Sequence, residues 1–257
     1  MQIKRILAVL ALLLMPSIVA AWGPMVGSGV ESGGGCTSIT VDYWQDFELS
    51  SVSGAQLEAH DNNACSSCWT VTDVSSKLSV ATGGEVTMDT CPDGVSDAGS
   101  SGLAYSWVDG ATGYLEIDFG ASKSNISVGF WVKTVNVPSW TYGLNIVSLM
   151  RADGAVVKSI TNNRNLSTNV QQLSSYACAV DTWYWVTLKY TSSDFFYVKI
   201  YNTSGTEVYS NSVATNIDTI RKIRVFGTPQ SGGTLTSYVD DLIIDITDAT
   251  FPLIGVE

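Results

Sequence analysis

The chain has 257 residues, of which 45% are hydrophobic, 10% are aromatic and only 14% are charged. Acidic residues outnumber basic ones by 24 to 13, which argues against nucleic acid as a partner because phosphate binding needs clustered Lys and Arg. Intrinsic disorder is also disfavoured, because eight Trp and eleven Tyr supply enough apolar surface to offset the entropy of ordering the chain.

Residues 1–21 have the three parts of a secretory signal peptide. Lys4 and Arg5 precede an apolar run, Ile6–Met15, and the small residues Ala20 and Ala21 follow it. The run is shorter than the roughly 20 apolar residues that a membrane span requires. We therefore predict a signal peptide over 1–21, export to the cell surface or the medium, and no membrane span after the signal is removed.

The rest of the chain divides into an arm, one domain and a tail. Residues 22–38 are rich in Gly and Ser and predict a flexible N-terminal arm. From Ile39 onward, short runs of β-branched and aromatic residues alternate with Gly, Asn, Asp and Ser, which is typical of an all-β sandwich. We predict one domain over 39–247, a C-terminal tail over 248–257 and very little helix. The predicted strands are Val41–Leu49, Cys68–Thr72, Glu85–Asp89, Leu103–Val108, Tyr114–Phe119, Ile126–Thr134, Leu144–Met150, Val156–Ile160, Trp183–Tyr190, Phe195–Tyr201, Ile220–Phe226 and Ser237–Ile246.

Two dipeptides predict tight turns between neighbouring strands. Asp153-Gly154 and Ser204-Gly205 contain the residue types that tolerate a positive φ. The predicted hairpins are Arg151–Ile160 and Val198–Tyr209.

The last predicted strand carries both apolar residues and carboxylates. Alternation places Leu242, Ile244 and Ile246 on one face of this strand. The same alternation predicts Asp240 on that apolar face, where a carboxylate needs an ion partner, a hydrogen bond or a metal.

Five cysteines follow the predicted signal peptide, and an oxidising compartment favours disulfides among them. The odd number leaves one thiol free or available for an intermolecular bond. A redox or zinc site at Cys65-Ser-Ser-Cys68 is disfavoured, because the chain has no second such pair and His60 is its only histidine. The pairing stays open among Cys36, Cys65, Cys68, Cys91 and Cys178.

Several segments together resemble the laminin G-like members of the concanavalin A-like jelly rolls. The resemblance implies a two-sheet antiparallel jelly-roll sandwich whose first and last strands pair. The opening Asp46-Phe-Glu48, followed by Trp69, also resembles MAM domains and several carbohydrate-binding modules. The segments that carry the main resemblance are Ile126–Lys133, Asp181–Tyr190, Tyr197–Gly205, Ile223–Gly227 and Tyr238–Leu242.

The same resemblance implies a cation where the first and last strands meet. The matching ligands are Glu48 and Asp240, with Asp46 and Asp241 as helpers. Carboxylate oxygens suit one structural Ca²⁺, which is the only cofactor that the sequence indicates. The alternative is that Asp240 accepts backbone N–H bonds and that Glu48 is solvated.

Catalysis is weakly supported by the sequence. Glu116-Ile-Asp118 resembles the start of the laminarinase-type glycosidase signature, but Gly120 and Ala121 stand where the second glutamate belongs. His60 has no Gly-x-Ser-x-Gly elbow beside which to act in a nucleophilic triad. We therefore predict an ordinary solvated strand at Glu116 and Asp118, and no enzymatic activity.

Aromatic residues in loop-like contexts point to carbohydrate. Trp140 and Tyr142 lie in a segment marked by Pro, Ser and Gly, and Trp107 precedes a predicted turn, so these three are the candidate ligand-binding residues. Trp131 and Trp183 are predicted to pack in the core. The predicted function is a secreted or cell-surface, non-catalytic glycan-binding domain. The alternatives are a structural or adhesion protein that contacts another surface protein through the sandwich or the arm, and then a glycoside hydrolase or polysaccharide lyase.

Overall fold

The structure is a computed structural model, and it describes residues 42–45, 47, 49, 51–60, 67–73, 76–82, 101–108, 112–136, 144–162, 166–168, 176–192, 195–214, 218–227 and 234–247. The predicted signal peptide, arm and tail lie outside these residues, as does the predicted strand Glu85–Asp89.

The described residues form short strands and one helix. In chain order these are β1 (Tyr43–Gln45), α1 (Gly54–His60), β2 (Trp69–Asp73), β3 (Leu78–Thr82), β4 (Ser101–Val108), β5 (Gly113–Lys123), β6 (Asn125–Asn136), β7 (Leu144–Met150), β8 (Val156–Asn162), β9 (Leu166–Thr168), β10 (Trp183–Thr191), β11 (Phe195–Tyr201), β12 (Glu207–Ala214), β13 (Ile220–Phe226) and β14 (Thr234–Asp245).

The strands build two antiparallel sheets, which confirms the predicted all-β jelly-roll sandwich. The eight-stranded sheet has the order β12-β11-β10-β6-β14-β4-β3, and β1 pairs with the second half of β14. The six-stranded sheet has the order β2-β5-β13-β7-β8-β9. The earliest and latest described strands therefore pair, as the resemblance implied. Both predicted hairpins also form, with φ values of 84° at Gly154 and 75° at Gly205.

The core lies between the two sheets and follows from two-residue alternation. In β6, Ile126, Val128, Phe130 and Val132 are buried in this core, whereas the residues between them point to the other side of the sheet. The core-facing residues of β10 are Tyr184, Val186, Leu188 and Tyr190. Each sheet therefore also has an outer face, defined here as the face turned away from the core.

One prediction about faces was wrong, at Asp240. The pairing of β14 with β6 shifts register between Asp240 and Ile243, and Asp241 has a φ of 46°. This bulge inserts an extra residue, so alternation does not run unbroken through the strand. Leu242 faces the core as predicted, but Asp240 is the cross-strand partner of Trp131 on the outer face.

The short helix α1 was not predicted. The side chain of Ser53 accepts a hydrogen bond from the N–H of Gln56 at 3.3 Å and so caps its first turn. Leu57 is buried in the core, and its carbonyl accepts a 2.9 Å hydrogen bond from Nε2 of buried Gln45. No helix among the described residues is long and apolar enough to cross a membrane.

Candidate functional site

The outer face of the eight-stranded sheet carries aromatic rings, although such a face is usually polar when the other face packs on the core. Cross-strand pairing aligns the rings in rows, because Trp183 lies opposite Lys133, and Trp185 lies between Trp131 and Tyr201. We call this surface the aromatic face. Its rings belong to Trp131, Trp183, Trp185, Tyr197, Tyr201 and Tyr238.

At one end of the aromatic face, a lysine lies between two rings. Lys133 of β6 is flanked by Trp183 of β10 and Tyr238 of β14, and its Nζ lies 5.0 Å from each ring centroid. The two rings are half-buried, with centroids 6.4 Å apart and planes inclined by 57°. We call these three residues the lysine clamp. Each cation–π contact is worth about 0.5–2 kcal/mol, depending on how far the ammonium is desolvated.

The middle of the aromatic face is packed like an interior. Trp131 and Trp185 are 3% and 1% exposed and meet edge to face, with ring centroids 5.4 Å apart. Gly129 makes this possible, because a Cβ at that position would lie 2.5 Å from Cζ2 of Trp185. The rings hold the floor of the face rigid.

Three polar atoms on this floor lack hydrogen-bond partners in the part of the chain that the structure describes. They are Oγ of Ser127, Oγ1 of Thr187 and Nε1 of Trp185, and all three are buried. An unsatisfied buried donor or acceptor costs about 1–3 kcal/mol. Native proteins retain few such groups, and a functional surface is one place where they occur.

At the other end, the hairpin of β11 and β12 contains a shallow depression of about 350 Å³. Its lining includes Tyr197, Lys199, Ser210 and Ser212. Lys199 donates a 2.6 Å hydrogen bond to Glu207, which raises the pKa of the lysine and lowers the pKa of the glutamate. The depression thus joins an aromatic ring to polar groups whose charges are already balanced.

The outer face of the six-stranded sheet is built from charge. Glu116 of β5 accepts hydrogen bonds from Lys222 at 2.8 Å and from Nε and Nη2 of Arg224 at 3.1 and 2.7 Å. The guanidinium of Arg224 lies 3.9 Å from the ring centroid of Tyr114. Arg221 donates to Asp118 at 2.8 Å. We call these residues the ionic face.

The ionic face corrects the prediction of a solvated strand at Glu116, which is only 7% exposed. Burial tends to raise the pKa of Asp118, but hydrogen bonds from Arg221 and from the N–H of Gly120, together with nearby positive charge, lower it overall. Both carboxylates are therefore engaged by cations. Neither resembles the protonated general acid that glycoside hydrolysis requires.

The predicted ligand-binding residues are not the ones that the structure brings together. Trp140 and Tyr142 lie outside the described residues. Trp107 lies in β4 opposite Leu235, and only its backbone is described. The prediction that Trp131 and Trp183 pack in the core was wrong, because both lie on the aromatic face and Trp183 is half-buried there.

The predicted metal ligands are described only in part. Asp46 and Glu48 lie outside the described residues, whereas Asp240 and Asp241 are 1% and 3% exposed. Oδ1 of Asp240 accepts the N–H of Asp241 at 3.0 Å, as the alternative to metal binding expected. Within the described residues, no group of three or more His, Cys, Asp or Glu side chains could hold a metal ion.

The fold and its two contrasting outer faces define a two-sheet jelly-roll sandwich. Residues 114–245, just over half of the chain, match the family model described as the C-terminal domain of SO2946-like proteins, and the chain belongs to this family. No curated protein sequence matches the chain.

Solved structures share the fold at low sequence identity. The cellulose-induced protein Cip1 is 12% identical with a TM-score of 0.52, and the match covers 79% of this chain and 97% of that one. The protein of unknown function SO2946 from Shewanella oneidensis MR-1 is 17% identical with a TM-score of 0.47, and 87% and 98% of the chains are covered. The receptor-binding domain of botulinum neurotoxin type G is 13% identical with a TM-score of 0.49, over 82% of this chain and 49% of that one.

Proposed function

We propose that this protein is a non-catalytic glycan-binding domain and that the aromatic face is its binding surface. The observation that carries the proposal is the row of rings on the side of the sheet turned away from the core. The face of an aromatic ring is electron-rich, and the C–H groups of a sugar ring pack against it. Half-buried Trp183 and Tyr238 at one end, and Tyr197 at the other, offer ring surface at both ends of the face.

The absence of catalysis is part of the proposal. Support comes from Glu116 and Asp118, which are held by three cationic side chains on the opposite sheet. A carboxylate fixed in this way stays ionised and cannot donate a proton to a leaving group. The check is to incubate the protein with the polysaccharides named below and to measure reducing ends and ultraviolet-absorbing unsaturated products. Release of either above the buffer control would contradict this part.

The binding test compares two aromatic residues that each contact a cation but lie on opposite faces. Affinity electrophoresis in gels containing xylan, mixed-linkage glucan, galactomannan or polygalacturonate should retard the unmodified protein in at least one gel. Trp183→Ala should reduce that retardation at least about tenfold, since stacking of an aromatic ring is worth more than about 1 kcal/mol. Tyr114→Ala is the matched control, because Tyr114 contacts Arg224 on the ionic face.

Two results would overturn the glycan proposal. One is that no polysaccharide in the panel retards the protein. The other is that Tyr114→Ala weakens binding as much as Trp183→Ala does. If the first result came with a mass in solution that rises with concentration, the alternative of a structural or adhesion protein would be favoured.

Export and calcium binding are further parts of the proposal. Cys68 is disulfide-bonded, which supports an oxidising compartment and so the predicted signal peptide. Buried Asp240 and Asp241 support a Ca²⁺ with Asp46 and Glu48, since adjacent buried carboxylates are costly without positive charge. Calcium should raise the melting temperature of EDTA-treated protein, and Asp240→Asn should remove the rise. An unchanged melting temperature would contradict the calcium site.

A further inference from the structure

The lysine clamp is distinctive because its ammonium group has little other company. The Lys133 side chain is only 15% exposed, so most of its hydration is lost. Its one carboxylate neighbour, Asp181, lies 3.8 Å away, beyond hydrogen-bonding distance. No described residue accepts a hydrogen bond from Lys133, whose contacts are this ion pair and the two rings. Its N–H donors are thus left for another acceptor.

Asp181 is a weak partner for this ammonium. It lies on the turn before β10 with a φ of 54°, and its own N–H donates to the carbonyl of Thr134 at 2.7 Å. Its side chain is 71% exposed, and a solvent-exposed ion pair is worth about 0–1 kcal/mol. An anion that approached the clamp directly would therefore outcompete Asp181.

The remaining basic residues show why Lys133 stands apart. Lys199 is bound to Glu207 on the same aromatic face, and Lys222 is bound to Glu116 on the ionic face. Those charges are balanced by direct contacts, whereas the charge of Lys133 is held by π-faces. Rings fix the ammonium in place without occupying its donors, as a recognition group requires.

We propose that the lysine clamp selects acidic polysaccharides, in which a sugar ring stacks on Trp183 or Tyr238 while its carboxylate or sulfate binds Nζ of Lys133. This inference rests on the proposed glycan-binding function and adds the class of ligand. The net charge of −11 repels a polyanion only weakly at physiological salt, where charges more than about 8 Å apart are screened. The contact at the clamp then decides.

The experiment uses polysaccharides that differ in charge alone. The probes are polygalacturonate with its methyl ester, and dextran sulfate with dextran, measured by affinity electrophoresis. Comparing the two pairs separates carboxylate from sulfate. The unmodified protein should bind the acidic member of at least one pair more tightly. Lys133→Gln should lose about tenfold or more of that affinity, because a hydrogen bond to a charged group is worth about 1.5–3 kcal/mol.

Three further variants make the result specific. Lys133→Arg should retain most of the preference for the acidic member, which shows that the charge matters and not only the packing. Asp181→Asn should tighten binding of the acidic member, because it removes a competing carboxylate. Lys158→Gln changes the net charge equally but lies in β8 of the other sheet, so it should leave the preference unchanged.

The outcomes separate this inference from the function on which it rests. If acidic and neutral members bind equally and Lys133→Gln changes neither, the clamp does not select charge, although glycan binding stands. If Lys158→Gln weakens acidic binding as much as Lys133→Gln, net charge and not the clamp is responsible, and the inference is overturned. If none of the four probes binds, the inference is overturned as well.

Discussion

The two outer faces of the sandwich use the same contact, a cation over an aromatic ring, to opposite ends. On the ionic face, Arg224 lies 3.9 Å from the ring centroid of Tyr114 and also binds Glu116 directly. On the aromatic face, Lys133 lies 5.0 Å from two ring centroids and has only a distant carboxylate. The first arrangement is electrostatically closed and serves stability. The second leaves hydrogen-bond donors open and suits recognition.

Removing the central carboxylate of the ionic face should have the largest effect. Glu116→Ala leaves Lys222 and Arg224 without their nearest anion, and we expect a loss of about 3 kcal/mol in the free energy of unfolding. Urea denaturation measures this loss. Asp118→Ala is the control, because this side chain is 30% exposed and should contribute less than about 1 kcal/mol. Equal losses would mean that the network is not centred on Glu116.

The core between the faces sets a reference in alkali. Burial raises the pKa of Tyr105 to about 12, although the N–H of Gly113 lowers it slightly. The neutral phenol is favoured in the folded state, so its contribution is complete below the unfolded pKa near 10 and is lost as the pH rises through about 12.

We expect the unmodified protein to lose about 2–3 kcal/mol more than Tyr105→Phe between pH 9 and 12. Chemical denaturation at a series of pH values measures the difference. Parallel pH curves for the two proteins would contradict the buried phenol. The comparison isolates the core, since both outer faces are unchanged in the variant.

Packing of the aromatic face should be sensitive to a single methyl group. Gly129→Ala places a Cβ 2.5 Å from Cζ2 of Trp185 and 3.0 Å from Ile243, so we expect a loss of about 2 kcal/mol. Gly227→Ala is the matched control, because the nearest atom to its Cβ lies 3.9 Å away in Asn145. Thermal unfolding of the two variants tests the difference. If both lose equally, the aromatic face is not close-packed at Gly129.

The smallest effect is the acid response of the ionic face. The pKa of Asp118 is lowered in the folded state, so its contribution is present above the unfolded pKa near 4 and is lost as the pH falls through the folded value. Asp118→Asn should flatten this loss by less than about 1 kcal/mol, because the pair is partly solvated. Denaturation from pH 6 to pH 2 checks the slope. A steeper slope in the variant would reverse the sign of the argument.

The fold could be predicted because alternation and turn chemistry are local signals. Leu144–Met150, Phe195–Tyr201 and Ile220–Phe226 form strands with the predicted bounds. The outer strand β12 was seen only as part of a hairpin, because its alternating exposure adds little apolar sequence. The bulge at Asp240 could not be predicted, since it depends on pairing with β6.

The candidate site could have been found from the same alternation. In β10, the core face reads Tyr184, Val186 and Leu188, and the other face reads Trp183, Trp185, Thr187 and Lys189. A face that mixes Trp with Thr and Lys is not a core face. The sequence analysis instead assigned the tryptophans to the core because large aromatics usually lie there. What the sequence could not show is that β6, β10 and β14 lie side by side and bring Lys133, Trp183 and Tyr238 together.

The most direct test of the account follows the signals of single residues during a titration. Two-dimensional NMR of ¹⁵N-labelled protein, with an oligosaccharide of whichever polysaccharide binds, reports which face is contacted. We expect the indole N–H of Trp183 and the backbone amides of Lys133 and Tyr238 to shift, while those of Tyr114 and Lys222 stay in place. Shifts confined to the ionic face, or none at saturating ligand, would contradict the claim that the aromatic face binds glycan.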